Sequence, residues 1–441
     1  MAPATDELTE QVAAHARGRV VDVCRDLIRF ESTNPGKGER EPAEYVAGML
    51  TDIGLTPHVS ETDPGRTSVV TRVEGLDRDR PALLVHGHLD VVPVQADDWT
   101  YPPFAGEIVD GMLWGRGAVD MKDMVAMTLA VAEGWSKTGA KPPRDVVLAF
   151  TADEEAGGTK GAADLVTHHA DHFEGVTEAV GEVGGFSVTV RDDLRLYLVQ
   201  TAEKGIEWLR LTANARAGHG SMIHPDNAVT QLAQAISSIG AYEHPVSLTP
   251  TARRFLEEIT AALDLPLDPS DPDSAIAKLG PISRMVGASV RNTSNPTMLE
   301  AGYKVNVIPG QATGQVDCRY LPDQRDALLA TIRELAGPSV EIDSVHSDIA
   351  VETSFDGDLV DAMAAALRSE DAQARTVPYL MSGGTDAKHF STLGIRCFGF
   401  APLLLPPDLD FSALFHGVDE RVPTAALEFG ATVFSRFLAA T

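Results

Sequence analysis

Five short stretches of this 441-residue chain carry histidines and acids in positions where metal or acid–base chemistry could be done. The apolar run Pro81–Val85 leads into His86-Gly87-His88-Leu89-Asp90, and Asp145–Thr151 leads into Asp153-Glu154-Glu155. Glu178–Val183 carries Glu182 at its end, and Asp120 stands in Gly-Arg-Gly-Ala-Val-Asp-Met-Lys, just ahead of a helical pattern. In open α/β sheets ligands collect beyond the carboxyl ends of the strands, so if these strands are neighbours one imidazole and several carboxylates meet at one spot. Unpaired, the acids would repel one another and raise one another's pKa; a divalent cation removes that repulsion. Mixed imidazole and carboxylate donors favour zinc, with cobalt or manganese as alternatives, whereas an all-oxygen set would suggest magnesium or calcium. A second imidazole would complete two equivalent half-sites, and His416 in Leu-Phe-His-Gly-Val-Asp-Glu is the candidate.

The elements that must hold these residues follow from hydrophobic period. Thr67–Val73, Pro81–Val85, Asp145–Thr151 and Glu178–Val183 read as strands, while Met121–Lys137 and Gly161–His169 have apolar residues at helical spacing. That alternation predicts an α/β sheet flanked by helices. From Ile206 the pattern changes: Ile206–Ala213 alternates like a strand, Asn227–Ile239 reads as an amphipathic helix, Leu263–Asp273 is a Pro- and Asp-rich loop, and Thr297–Asn306 and Ala312–Tyr320 are strand-like. A small α+β domain over 206–320 is therefore expected, inserted into a larger domain built from 1–205 and 321–441, the latter beginning with a helix over Asp326–Leu335.

Composition narrows the partners. Lysine and arginine number 36 against 64 aspartates and glutamates, a net charge of −28, which makes phosphate backbones and anionic lipid poor partners. No apolar run reaches the roughly 18 residues of a membrane span, and the polar, acidic N-terminus does not read as a secretory signal. Cys24, Cys318 and Cys397 have no paired spacing, so buried thiols in a reducing, cytoplasmic setting are expected, not disulfides.

The segments GHLDVVP (Gly87–Pro93), GRGAVDMK (Gly115–Lys122), TADEE (Thr151–Glu155), GEVGG (Gly181–Gly185), GHGS (Gly218–Ser221), NVIP (Asn306–Pro309), SGGTDA (Ser382–Ala387) and HGVDE (His416–Glu420) occur in a fixed order. In that order the chain resembles the zinc metallopeptidase and deacylase family of aminoacylase, glutamate carboxypeptidase, acetylornithine deacetylase and succinyl-diaminopimelate desuccinylase. The resemblance implies a zinc-exopeptidase-like catalytic domain with an inserted α+β lid or dimerisation domain, and two Zn2+ per chain. It implies that His88 and Glu182 bind one metal, Glu155 and His416 the other, and that Asp120 bridges them. Asp90 would orient His88 through its other ring nitrogen, and Glu154 would be the general base that takes a proton from water and returns it to the leaving amine. His219 would steady the oxyanion from a partner subunit, which implies a homodimer through the inserted domain. Asn306, Arg319, Ser382, Gly383, Gly384 and Thr385 would hold the substrate's carboxylate. The expected activity is hydrolysis of an amide bond beside a free carboxylate, in N-acyl amino acids or short peptides. A dipeptidase or carboxypeptidase, or a catalytically silent binder of the same molecules, are the alternatives.

Several residues near the motifs read as ordinary structure. His86 is expected to be packed or at the surface, Asp153 a loop cap or solvated charge, and His168, His169 and His172 a solvated face. Arg319 could equally form a plain salt bridge. Val183 replaces the proline that many relatives place after the glutamate, and the Leu263–Asp273 loop is longer than expected.

Overall fold

A computed structural model describes residues 3–191, 193–268, 271–278 and 283–441. The chain divides into two compact units: Met1–Thr201 with Phe355–Tyr379 and Thr385–Thr441, and Ala202–Ser354 with Leu380–Gly384.

The first unit is built on a mixed sheet. Its strands run in the order His58–Asp63, Arg66–Val73, Val146–Thr151, Ala82–His88, Val176–Gly181, Arg396–Gly399 and Leu194–Glu203. The three strands that carry candidate ligands at their ends, Val146–Thr151, Ala82–His88 and Val176–Gly181, are parallel neighbours, with His88 opposite Thr151. Ala82–His88 and Val146–Thr151 are buried at every position, as strands covered on both faces must be. The expected strand over Pro81–Val85 runs three residues further, so His88 is the last residue of the strand itself. Lys122–Thr138 forms the expected helix, packing on Pro3–Ile28, and Thr424–Ala440 packs on both. Leu84, Val147, Ala149, Leu165, Ala179 and Phe390 share one apolar cluster on the sheet.

The second unit is a four-stranded antiparallel sheet in the order Thr293–Ala301, Gln311–Tyr320, Gly205–Asn214 and Val340–Asp348. Helices Ala228–Gly240 and Arg325–Ala336 bury Leu232, Ile239, Leu328 and Ile332 against Leu209, Leu211 and Val316. This unit runs to Ser354, beyond the boundary expected at 320, because Val340–Asp348 pairs with Gly205–Asn214. Thr293–Ala301 begins four residues before the expected strand, and Gly302–Asn306 is not strand. Pro296 is tolerated there because this is an edge strand with an irregular register, where a missing N–H costs little. Helix Pro250–Ala262, absent from the sequence reading, precedes the Leu263–Asp273 stretch. Of that stretch residues 269–270 lie outside the described residues, and Pro272 opens a short helix to Ile276.

The three cysteines are buried and none forms a disulfide. Among the described residues no helix is long and apolar enough to cross a membrane.

Candidate metal centre

All the acids and imidazoles expected to bind metal fall within the first unit. His88 Nε2 lies 3.1 Å from Asp120 Oδ1 and 3.2 Å from Glu182 Oε2. His416 Nε2 lies 3.2 Å from Asp120 Oδ2 and 3.1 Å from Glu155 Oε2. Each oxygen of Asp120 thus faces a different histidine, and each histidine faces its own glutamate. Two overlapping sets of donors also lie close enough to share an ion, His88 with Asp120 and Glu155, and His88 with Glu154 and Glu182, so the two halves of the site adjoin at His88.

The ring of His88 is oriented by Asp90, most closely through its backbone. Its Nδ1 sits 2.9 Å from the backbone carbonyl of Asp90 and 3.4 Å from the carboxylate. Donation to that carbonyl leaves Nε2 as the lone pair turned toward the acids. The Asp90 carboxylate does further work: it accepts from the backbone N–H groups of Glu154 and Glu155, each at 3.1 Å, and from Asn34 Nδ2 at 2.9 Å. Asp90 therefore holds the turn that presents both glutamates. Asp153, at φ 67, tightens the same turn by accepting from Asn34, Thr159 and the Lys160 amide; it is a buried cap, not a solvated charge.

Two further residues support Asp120 and His416. Glu420 Oε1 accepts from the amides of Val119 (2.8 Å) and Asp120 (3.2 Å), and its Oε2 accepts from Arg116 at 2.6 Å. Arg116 also donates to the His416 carbonyl at 3.3 Å. Both stand inside motifs, GRGAVDMK and HGVDE, but their partnership is invisible in sequence. Asn34 lies outside every motif, and nothing in the chain around it gave a signal.

As free acids and bases these groups perturb one another. Burial, then the charge of Glu182, pushes the Glu154 carboxyl well above its ordinary range, and burial raises Glu155 and carries Glu182 to about 7. Hydrogen bonding to Asp120 and then Glu155 lifts His416 to about 10. For His88, the charge of Glu182 and hydrogen bonds to acids outweigh the lowering effect of burial. Glu155 Oε1 is buried without a hydrogen-bond partner among the described residues. A donor set of two imidazoles and three to four carboxylates, with one buried oxygen left over, fits a pair of divalent cations.

Val183 follows Glu182 with φ 47, a left-handed conformation closed to proline and costly for a β-branched residue. His86 packs its ring on Phe390 at 4.9 Å, and burial lowers it to about 3, so it stays a neutral core residue.

The remaining candidates, except Thr385, belong to the second unit. GHGS and NVIP form a two-stranded ribbon, with Gly218 opposite Ile308 and His219 opposite Val307, which brings His219 and Asn306 together. His219 Nδ1 lies 2.8 Å from Ser221 Oγ and accepts from the Ser221 amide at 3.2 Å, leaving exposed Nε2 to carry the proton of the neutral ring. Arg319 makes a two-point pair with Asp317, at 2.7 and 3.0 Å, so the plain salt bridge is what it forms in this structure. Ser382, Gly383 and Gly384 close the second unit's short return segment, with Ser382 exposed; Thr385, in the first unit, is buried and caps the turn at Ala387.

Comparison with known proteins gives the chain its family. The chain is 28% identical to N-fatty-acyl-amino acid synthase/hydrolase PM20D1 of Xenopus tropicalis, covering 96% of this chain and 86% of the relative. It is 25% identical to aminoacylase-1 of Sus scrofa, over 95% of this chain and 94% of that one. Among solved structures it superposes on the M20 family metallo-carboxypeptidase Sso-CP2 of Sulfolobus solfataricus with a TM-score of 0.72 and 18% identity, covering 95% and 98% of the two chains. Residues 84–440 match the model of peptidase family M20/M25/M40, and the chain belongs to that family.

Proposed function

We propose that this protein hydrolyses the amide bond of N-acyl amino acids, beside the free carboxylate, with two divalent cations held by His88, Glu182, Asp120, Glu155 and His416. Membership of the family makes it a metal-dependent hydrolase of amide or peptide bonds. The observation that carries the finer reading is the divided carboxylate of Asp120, one oxygen to each histidine. Zinc suits the mixed donors best, with cobalt or manganese as substitutes. Bound cations of this kind lower the pKa of water from about 15.7 to roughly 7 and polarise the scissile carbonyl.

The chain's own residues then do the rest. Glu154 is held by its backbone to Asp90, which aims its carboxyl beside Glu182. There it takes a proton from the attacking water and passes it to the leaving amine. An exposed His219 Nε2–H is a donor suited to an oxyanion. Asn306, beside it, with Arg319 and Ser382, Gly383, Gly384 and Thr385, is assigned to the substrate's carboxylate; Arg319 would exchange Asp317 for it, a two-point partner of the same kind. The named activities of the relatives that align over almost the whole chain favour an acyl over a peptidyl substrate.

We assign a cytoplasmic homodimer, formed through the second unit, in which His219 serves the partner's site. Met222, Ile223, Tyr303 and Val305, next to GHGS and NVIP, are exposed apolar side chains that association would cover.

The direct test is Glu154→Gln, assayed on N-acetyl, N-succinyl and long-chain N-acyl amino acids alongside dipeptides. Turnover should fall by about 10²–10⁴-fold while metal content, measured by plasma emission, stays equal to the parent's. Unchanged turnover removes the base assignment, and a dipeptide preference in the parent enzyme removes the acyl reading.

A further inference from the structure

Three histidines outside the metal centre meet at the edge of the first unit's sheet. His58 opens the edge strand His58–Asp63. His169 stands at the start of the single turn of 3-10 helix Ala170–Phe173 and His172 lies within it, where a spacing of three places side chains one above the other. The His58 ring lies 4.8 Å from that of His169 and 4.7 Å from that of His172, and the latter two are 6.3 Å apart. One ring nitrogen from each lies within 4.8 Å of the other two. The sequence reading placed His168, His169 and His172 on a solvated face. That holds for His168, which is exposed and pairs with Asp164 at 2.9 Å, but not for the other two, which are half-buried against a residue from far along the chain.

The cluster is built, and it is incomplete as a hydrogen-bonding arrangement. His58 Nε2 is buried with no hydrogen-bond partner among the described residues. Burial, then the positive charge that His172 and His169 would carry, holds this imidazole below its ordinary pKa, so one ring nitrogen keeps its lone pair at neutral pH. The turn that carries the other two is fixed: Arg72 donates to the carbonyls of His172 (3.2 Å) and Glu174 (2.7 Å), and Phe173 is buried against Phe390. Acids stand around the rings without entering the set. Asp164 Oδ2 is 3.9 Å and Ser60 Oγ 3.4 Å from His169 Nε2, and Asp171 is close enough to act on His58. Ring stacking alone would account for the distances between centroids. It does not account for a buried nitrogen left without a hydrogen-bond partner in a cluster of three bases.

We propose that His58, His169 and His172 form a metal site of their own, which takes one borderline divalent cation, Zn2+ first, through three neutral imidazoles. Three nitrogen donors without a carboxylate in the set select against Mg2+ and Ca2+. A tetrahedral ion with bonds of about 2.0–2.1 Å needs ligand atoms about 3.4 Å apart, so the rings close by roughly an ångström on binding, leaving the fourth position to water. The ion would tie the edge strand to the turn after Ala162–His168.

The test uses the whole protein, stripped with a chelator and dialysed against buffered Zn2+ at neutral pH, beside His58→Gln and His172→Phe. Each variant should bind one ion fewer per chain than the parent, with activity within twofold and an unchanged circular dichroism spectrum. Taking the difference makes the result independent of how many ions the catalytic residues hold. Equal zinc content in all three proteins overturns the proposal. Should a variant not fold, Cu2+ added to the zinc-loaded parent decides: a copper signal split by imidazole nitrogens is expected in electron paramagnetic resonance, and its absence refutes the site.

Discussion

Glu420 gives the most demanding test of how this centre is held together. It is fully buried, and its carboxylate takes three hydrogen bonds, from Arg116, from the Val119 amide and from the Asp120 amide. Burial pushes its carboxyl up to about 7, and the charge of Arg116 opposes that rise. Replacing it with alanine strands a buried guanidinium, already without a partner at Nε, and leaves two amides next to a metal ligand without acceptors. Breaking a buried ion pair from one side costs about 3–5 kcal/mol. Each stranded amide adds about 1–3 kcal/mol unless water enters the space vacated. Because water can enter, the terms do not sum, and a loss of about 4 kcal/mol is expected from total stabilities of about 5–15 kcal/mol. The metal should feel it too, since Asp120 loses its backbone anchor and His416 loses the arginine on its carbonyl. Supporting residues of this kind are worth about 10–100-fold in metal affinity. Urea unfolding followed by tryptophan fluorescence measures the first quantity, and competition with a chromogenic chelator measures the second. Glu420→Gln keeps an oxygen for both amides but turns an N–H group toward Arg116, so it should fall between alanine and the parent. If Glu420→Ala changes stability by less than about 1 kcal/mol and leaves metal affinity untouched, the three hydrogen bonds do not hold Asp120 in place and the argument fails.

Three other outcomes follow from the geometry. Mixing inactive Glu154→Gln and His219→Ala proteins should restore about a quarter of parental activity, because half the dimers are mixed and each has one site with both residues intact; no recovery would mean His219 acts within its own chain. Lys204 is buried with no hydrogen-bond partner for Nζ among the described residues, and burial, then Arg319 and Arg291, lowers it to about 7. Above about pH 10.4 it is neutral folded or unfolded; as pH falls toward 7 only the unfolded chain gains the proton, so stability drains away by up to about 5 kcal/mol. Lys204→Met should therefore raise the urea midpoint at pH 7.5 and flatten its rise toward pH 10. Asp371 is the opposite case: bonded twice by Arg195 at 2.6 Å, and by Tyr197 at 2.9 Å, its carboxyl is held below the ordinary range, chiefly by Arg195. Its contribution is complete above about pH 3.9 and is lost as pH falls through the lowered folded value. Asp371→Asn should cost about 2–4 kcal/mol at pH 7 and nothing measurable at the acid end, read from urea midpoints at both.

What could be read from sequence, and what could not, divides along a physical line. His88, Glu154, Glu155 and Glu182 were legible because a parallel sheet converts a position along the chain into a position in space: the residue after each strand lies on the same edge. Asp120 and His416 could be named only as candidates, since both sit in loops whose course no periodicity fixes, and the ordered motifs gave each its place in the set. The misreadings share another origin. Hydrophobic period gives an element's type but not its partner, so the helix and strand over 325–348 read as a continuation of the larger domain when they complete the second unit's antiparallel sheet. Polar partnerships fail for the same reason and more completely. The resemblance gave Asp90 to His88, and its carboxylate lies 3.4 Å from Nδ1, but nothing in the chain showed that it also serves the amides of Glu154 and Glu155, far along the chain. Arg116 with Glu420, and His58 with His169 and His172, are likewise pairings across long separations, in which each residue alone resembles a surface charge or a stray imidazole. A buried polar group must find a partner, but the requirement does not say which one. The residues that do chemistry are therefore easier to find than those that hold them still, and metal affinity in the Glu420 variants will show how much depends on the second kind.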